Sequence, residues 1–71
     1  MTADVAPVRL LRLPDVLVRV GISRSAVYEL VQRGAFPRPV KLGTRCTAWV
    51  EREISAWIDV RIAERPARAG T

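Results

Sequence analysis

Two glycines and a pair of prolines constrain the fold more than any other feature of this chain. Gly21 and Gly34 each follow a short stretch with helical spacing of apolar residues, as expected of residues that end helices in the left-handed conformation. Pro37 and Pro39 come soon after the second glycine, and prolines exclude helix and favour extended backbone. The 71 residues therefore leave room for one small domain with two short helices followed by extended structure.

The two helices are predicted from their end residues and their apolar spacing. The first begins near Pro14, which suits the first helical position, and Asp15 is favourable near the N-terminal end. The second begins after Ser23, a predicted N-cap, and stops at Gly34. The predicted inward-facing residues are Val16, Leu17, Val20, Ala26, Val27, Leu30 and Val31. Two short helices joined by a tight turn with a glycine are typical of a helix-turn-helix.

A hairpin is predicted after the prolines. Val40–Leu42 and Arg45–Trp49 read as strands around Gly43 and Thr44, which suit a two-residue type II′ turn. This register places four side chains on one face of the hairpin: Val40, Leu42, Thr47 and Trp49. It places Lys41 and Cys46 on the other face, where Cys46 is expected to be a small, half-buried filler.

A third helix is predicted from about Glu51, with acidic residues in its first turn but no convincing side-chain cap. Its expected buried stripe is Val50, Ile54, Trp57, Ile58 and Ile62. Because the core of so short a chain is thin, we assign Trp49 and Trp57 to the core rather than to base stacking. The predicted fold is α+β, mainly helical: a small winged helix-turn-helix with a two-helix unit, a β-hairpin wing and a C-terminal helix.

The composition excludes most enzymatic chemistry. The chain has no histidine and one cysteine, which removes a structural zinc site, a disulfide framework and any His-based triad. We therefore expect no cofactor, no metal and no catalytic activity. Asp4 and Pro7 precede the first apolar run, and Arg9 and Arg12 interrupt it, so a secretory signal is not expected. A cytoplasmic protein without a membrane segment fits this sequence.

The charge distribution points to a polyanionic partner. The formal net charge is +5, and eleven of the twelve cationic residues are arginine, which pairs well with phosphate and guanine edges. Residues 9–45 hold eight cations and two anions, whereas residues 50–64 hold two cations and four anions. The positive charge is therefore concentrated in one half of the chain, as nucleic-acid binding requires. A merely solvated arginine-rich surface is the alternative.

The second helix and the hairpin carry the candidate contacts. Arg24 lies at the helix start, where it can reach a guanine edge or phosphate, and Ser25, Tyr28 and Gln32 share its face. Lys41 and Arg45 are placed on the hairpin to touch the minor groove, although exposed hairpins also carry cations to block edge pairing. Glu29 more simply pairs with a neighbouring arginine. The full candidate DNA-binding set is Ser23, Arg24, Ser25, Tyr28, Gln32, Arg33, Arg38, Lys41, Thr44 and Arg45.

The chain contains five motifs in this order: Leu10–Pro14, Val20–Ser25, Phe36–Gly43, Trp49 and Trp57. Together, in this order and spacing, they resemble the AlpA family of phage and prophage regulators. The likeness covers roughly residues 9–60, with Cys46–Ala48 as a modest departure. That family is similar in fold to MerR-type DNA-binding domains and small phage excisionases. The resemblance implies a winged helix-turn-helix that binds DNA as a transcriptional regulator or as a recombination directionality factor encoded on a prophage or integrative element.

The predicted organisation is a flexible arm at 1–8, a DNA-binding domain at 9–64 and a basic tail at 65–71. The expected partner is double-stranded DNA, at a promoter or at attachment-site repeats, with an integrase and further copies of the chain as additional partners. Excision and transcription remain open at this point. Two other functions also remain: a small protein-binding module, such as an antirepressor or an inhibitor of an acidic partner, and an RNA-binding protein.

Overall fold

The computed structural model, which describes residues 8–66, contains three helices and a three-stranded antiparallel sheet. The elements follow in the order β1 (Leu10–Leu11), α1 (Leu13–Val20), α2 (Arg24–Gln32), β2 (Val40–Gly43), β3 (Cys46–Val50) and α3 (Glu51–Glu64). The expected α+β winged helix-turn-helix is confirmed. Most of the predicted arm and tail, residues 1–7 and 67–71, lies outside the described residues.

The turn between α1 and α2 is fixed at both of its ends. Gly21 adopts the left-handed conformation, with φ of 74°, and its amide donates to the Leu17 carbonyl at 2.8 Å. Two residues later, the Ser23 hydroxyl oxygen accepts a hydrogen bond from the Ala26 amide at 3.1 Å. Both predicted caps are confirmed, and they set the angle at which α2 leaves α1.

A Schellman motif ends α2 at the predicted glycine. Gly34 has φ of 75° and donates to the Val31 carbonyl at 3.0 Å, while Ala35 donates to the Leu30 carbonyl at 2.8 Å. The chain thereby turns back and brings Phe36 into the core, where its side chain is buried.

The strand β1 is a feature that the sequence did not predict. It pairs with β3, with Leu10 opposite Val50 and Leu11 opposite Trp49, so β3 is the central strand between β1 and β2. The Glu51 amide extends this pairing by donating to the Arg9 carbonyl at 2.8 Å. The segment around β1 is therefore tied to the start of α3.

The predicted hairpin register is wrong. Gly43 pairs with Cys46, so the two turn residues are Thr44 and Arg45 rather than Gly43 and Thr44. Gly21 and Gly34 are the glycines with positive φ among residues 8–66, which excludes the predicted type II′ turn with Gly43 at its first central position.

A bulge in β2 accounts for the changed register. Lys41 pairs with Thr47 and Gly43 with Cys46, so Leu42 is an additional residue in β2. Val40 pairs with Ala48 and therefore lies on the face opposite Trp49, whereas Lys41 lies on the same face as Trp49. The predicted placement of Val40 beside Trp49 is therefore wrong, and Leu42, predicted on that face too, has no partner residue on β3. Lys41 and Cys46 do not share a face, as they were predicted to do.

The core lies between the helices and the inner face of the sheet. Its buried members are Leu11, Val16, Val27, Phe36, Trp49 and Ile54. Packed around them are the partly buried residues Leu13, Leu17, Val20, Ile22, Leu30, Val31, Trp57 and Ile58. Most of the predicted helix faces are confirmed. Each fully buried large side chain stabilises the fold by about 1.5–3 kcal/mol.

The two tryptophans close this core at different depths. Trp49 is fully buried, and its Nε1 donates to the Pro37 carbonyl at 2.9 Å. Trp57 is half-buried, packs edge-on against Phe36 at 4.8 Å and donates to the Ala35 carbonyl. The predicted burial of Ile62 is wrong, because its side chain lies beyond the packed part of α3 and is 49% exposed.

Candidate nucleic-acid interface

The outward face of α2 gathers the polar residues that the sequence singled out on this helix. Five exposed side chains line one shallow depression: Arg24, Ser25, Tyr28, Glu29 and Gln32. The opposite face of the helix is anchored in the core by Val27, which is fully buried. The helix is therefore held rigidly from behind while a mixed donor and acceptor surface remains open.

Ser23 and Arg24 stand at the N-terminal end of this face. The Ser23 hydroxyl oxygen is used as the helix cap, which leaves its O–H free to donate to a further acceptor. Arg24 is exposed at the first position of α2, where unpaired backbone N–H groups and the helix dipole already favour an anion. This end of the helix suits a phosphate or a base-edge acceptor.

The hairpin presents two further cations of the candidate set. Lys41 lies on the inner sheet face, the side on which Trp49 meets the helices, and Arg45 occupies the two-residue turn with Thr44. Both cations are exposed. The hairpin, or wing, thus adds two exposed cations to Arg24 on α2.

Five cations of the candidate set have no counter-charge in the part of the chain that the structure describes. Within residues 8–66, no ion pair and no side-chain hydrogen bond involves Arg24, Arg33, Arg38, Lys41 or Arg45. All five are exposed. They remain available to an external anion.

Other arginines that contribute to the positive charge of the N-terminal half are engaged within the fold. Arg9 and Arg19 both approach the Glu51 carboxylate, at 3.6 and 3.7 Å, and Arg19 also donates to the Ser55 hydroxyl. Arg12 donates through Nε to the Thr47 carbonyl at 3.1 Å. Sequence reasoning missed these contacts because each joins residues more than thirty positions apart. Fewer cations are therefore free to bind an external anion than the charge count suggested. The free cations centre on α2 and the wing.

A second surface lies around α3 and is chemically different. A groove between the α2–β2 connection and α3 is lined mainly by apolar side chains, among them Phe36, Trp57 and Val60, with Glu53 and Arg61 beside them. The Arg61 guanidinium lies over the Trp57 ring at 5.3 Å and also pairs with Glu64. The anions of the chain are concentrated on this helix, which makes it a poor surface for a polyanion.

The helix pair with its glycine turn, the basic hairpin and the closing helix together define a winged helix-turn-helix protein. In the part of the chain from Val8 to Pro66, no helix has both the length and the apolar character needed to cross a bilayer.

The chain belongs to the family described as prophage CP4-57 regulatory protein (AlpA), whose model matches residues 9–62. This match confirms the resemblance inferred from the motifs and extends it by about half a turn of α3.

Two curated relatives are similar to this chain. An uncharacterized protein, ORF88 of Enterobacteria phage P4, is 45% identical over 62 residues, which is 87% of this chain and 70% of the relative. The DNA-binding transcriptional activator AlpA of Escherichia coli strain K12 is 33% identical over 60 residues, which is 76% of this chain and 86% of the relative. The protein is thus a regulatory protein of phage type, in the same family as a DNA-binding transcriptional activator.

Proposed function

We propose that this protein binds double-stranded DNA at specific sites, with α2 in the major groove and the wing beside it. The observation that carries this proposal is the group of exposed cations without partners on α2, on the following connection and on the hairpin, within residues 8–66. Sequence-specific recognition needs phosphate contacts for register and base-edge contacts for readout. This surface contains side chains for both.

In the proposed complex, α2 reads the bases. Arg24 donates to a guanine edge or to a phosphate from the start of the helix, with Ser25 and the Ser23 hydroxyl donating nearby. Tyr28 and Gln32 lie one and two turns further along the same exposed face. Glu29 belongs to this face too, and we assign it no base contact.

The residues that follow α2 hold the backbone of the duplex. Arg33 and Arg38 are exposed on either side of the chain reversal at Gly34 and suit flanking phosphates. Lys41, Thr44 and Arg45 place two cations and a hydroxyl at the wing, where they reach the minor groove and its phosphates.

The biological role we propose is transcriptional regulation in the cytoplasm, on bacterial or phage DNA. The similarity to a DNA-binding transcriptional activator supports this role. The same contacts at attachment-site repeats, next to an integrase, would constitute a recombination directionality factor. A single module of this kind buries roughly 600–1,000 Å² of protein surface, so tight binding calls for several copies on repeated sites.

Fluorescence anisotropy tests the proposal directly. The labelled duplexes are the region upstream of the gene, any adjacent attachment site and a random sequence, each titrated across a salt series. We expect nanomolar binding to one natural fragment, resistant to random competitor, with log K falling by about 0.9 per phosphate contact for each unit of log salt. The preferred fragment distinguishes transcription from excision.

The matched variants are Arg24→Ala and Arg52→Ala, which remove the same charge from α2 and from α3 respectively. Arg24→Ala should lose the preference for the natural fragment, whereas Arg52→Ala should retain it. Equal binding of natural and random duplexes by the native protein would contradict the proposal. That result would favour the protein-binding alternative, in which the positive face binds an acidic partner, and tighter binding to structured RNA would favour the RNA alternative.

A further inference from the structure

The wing exposes apolar side chains that the core does not use. Val40 pairs with Ala48, lies on the sheet face opposite Trp49 and is 39% exposed. Leu42, two residues further toward the hairpin end, is 49% exposed, and neither Val40 nor Leu42 belongs to the apolar residues packed on the core. The wing therefore carries a large apolar side chain whose position core packing does not explain.

The bulge in β2 sets the position of Leu42. It is the additional residue between the Lys41–Thr47 pair and the Gly43–Cys46 pair. A bulge increases the local twist and re-aims the side chain of the extra residue. In the sequence, Leu42 is flanked by Lys41 before it and by Arg45 in the turn after it, both exposed cations. The wing thus combines one projecting leucine with two cations.

We propose that Leu42 is an apolar wedge that enters the minor groove, partly unstacks one base step and bends the duplex. This inference rests on the proposed function, since it needs the wing to lie on DNA. Proteins that kink DNA from the minor groove insert an apolar side chain between bases and hold the phosphates with flanking cations. Leu42, Lys41 and Arg45 supply these two components at one end of the hairpin.

The wedge also gives the wing a means of sequence selection. Pyrimidine–purine steps unstack and kink at lower cost than other steps. A leucine that intercalates partially therefore favours such a step without a hydrogen bond to either base. The wing selects a deformable sequence, while α2 reads base edges.

The test compares two exposed leucines at opposite edges of the sheet. Leu42→Ser removes the wedge, and Leu10→Ser is the matched control, because Leu10 is similarly exposed, at 44%, but belongs to β1, at the other edge of the sheet. The probe is a duplex selected by the native protein from a random-sequence pool. Energy transfer between dyes at its two ends measures bending, and 2-aminopurine placed at each pyrimidine–purine step reports unstacking.

With the native protein, we expect a bend of roughly 20–90° and increased 2-aminopurine fluorescence at one step. Leu42→Ser should lose both signals and bind about five- to tenfold more weakly, as expected when a leucine loses part of its apolar burial. Leu10→Ser should retain both signals.

An unbent complex of the native protein would overturn the wedge, and so would full bending by Leu42→Ser or equal losses in the two serine variants. In each of those cases duplex binding by the native protein still upholds the proposed function. If no duplex is enriched from the pool and the native protein binds none, the proposed function fails, and the wedge fails with it.

Discussion

The ring of Tyr28 on the exposed face of α2 lies 6.5 Å from the ring of Trp49 in the central strand, at an interplanar angle of 57°. Trp49 is in turn fixed by the hydrogen bond from its Nε1 to the Pro37 carbonyl. Tyr28 is therefore both part of the proposed recognition surface and a cover for the core, with 43% of the residue exposed. This double position determines which substitutions separate binding from stability.

Tyr28→Phe and Tyr28→Ala should have different consequences. Phenylalanine keeps the ring beside Trp49 and removes only the hydroxyl, so the melting temperature should stay nearly unchanged while DNA affinity falls several-fold. Alanine also removes the aromatic contact, worth about 0.5–1.5 kcal/mol, and should lower the melting temperature. Circular-dichroism melts and anisotropy on the same samples measure both. Equal DNA affinity of the native and phenylalanine proteins would exclude a role for the hydroxyl in binding.

Lys41→Ala and Arg45→Ala should weaken binding to natural and random duplexes by similar factors. Both cations are assigned to backbone and minor-groove contacts, which carry little sequence information. Each substitution should reduce the slope of log K against log salt by about 1. The control is Arg52→Ala, which changes the net charge equally from α3 and should leave the slope near its native value. Unchanged slopes for both wing variants would place the wing away from the phosphates.

Gly34→Ala should destabilise the fold through backbone strain alone. Its φ of 75° suits glycine, and no atom lies within 4 Å of an added Cβ, so no steric collision contributes. The free energy of unfolding should fall by about 1–2 kcal/mol. In a domain of this size, each kcal/mol lowers the melting temperature by roughly 4–8 °C.

Gly43→Ala is the control for that experiment, because Gly43 has no positive φ and its added Cβ would meet only the Cys46 Cβ, at 3.8 Å. Its melting temperature should stay near the native value. A decrease equal to that of Gly34→Ala would contradict the turn at Thr44 and Arg45 and would make Gly43 a central turn residue.

Glu51→Gln should slightly lower the stability of the fold and should increase its affinity for DNA. The Glu51 carboxylate faces both Arg9 and Arg19, and partly exposed ion pairs of this length contribute at most about 1 kcal/mol. Removing its charge frees both guanidinium groups and should increase affinity for random duplex at low salt. Glu64→Gln breaks the Arg61 pair on the far part of α3 and should not increase it. Equal affinities of the two glutamine variants for random duplex would contradict the claim that Glu51 withholds Arg9 and Arg19 from DNA.

The sequence predicted the helices because their determinants are local. Gly21, Ser23 and Gly34 fix the helix ends through bonds within five residues, and the apolar spacing of α1 and α2 defines one buried face. These signals are strong in so short a chain. The exposed face of α2 follows directly from them, so the predicted side chains of that helix do lie together.

The features that the sequence missed depend on contacts between distant residues. The strand β1 has only two residues and forms by pairing with β3. The hairpin register depends on a bulge in β2 that no turn motif in the sequence indicates. The engagement of Arg9 and Arg19 by Glu51 likewise needs the folded chain. The number of cations in the N-terminal half that are free to bind an anion was therefore overestimated. The candidate cations on α2 and the wing were nevertheless predicted.

An NMR titration of the isotopically labelled protein with its selected duplex tests the central claim most directly. We predict that backbone amide signals shift at the start of α2, along its exposed face and in the wing around Lys41 and Arg45. The amides of α3 from Ala56 to Arg61 should move little, because none of the proposed DNA contacts lies on that helix. Large shifts along α3 with unmoved signals at Arg24 and Lys41 would contradict the account and place the binding surface at the apolar groove.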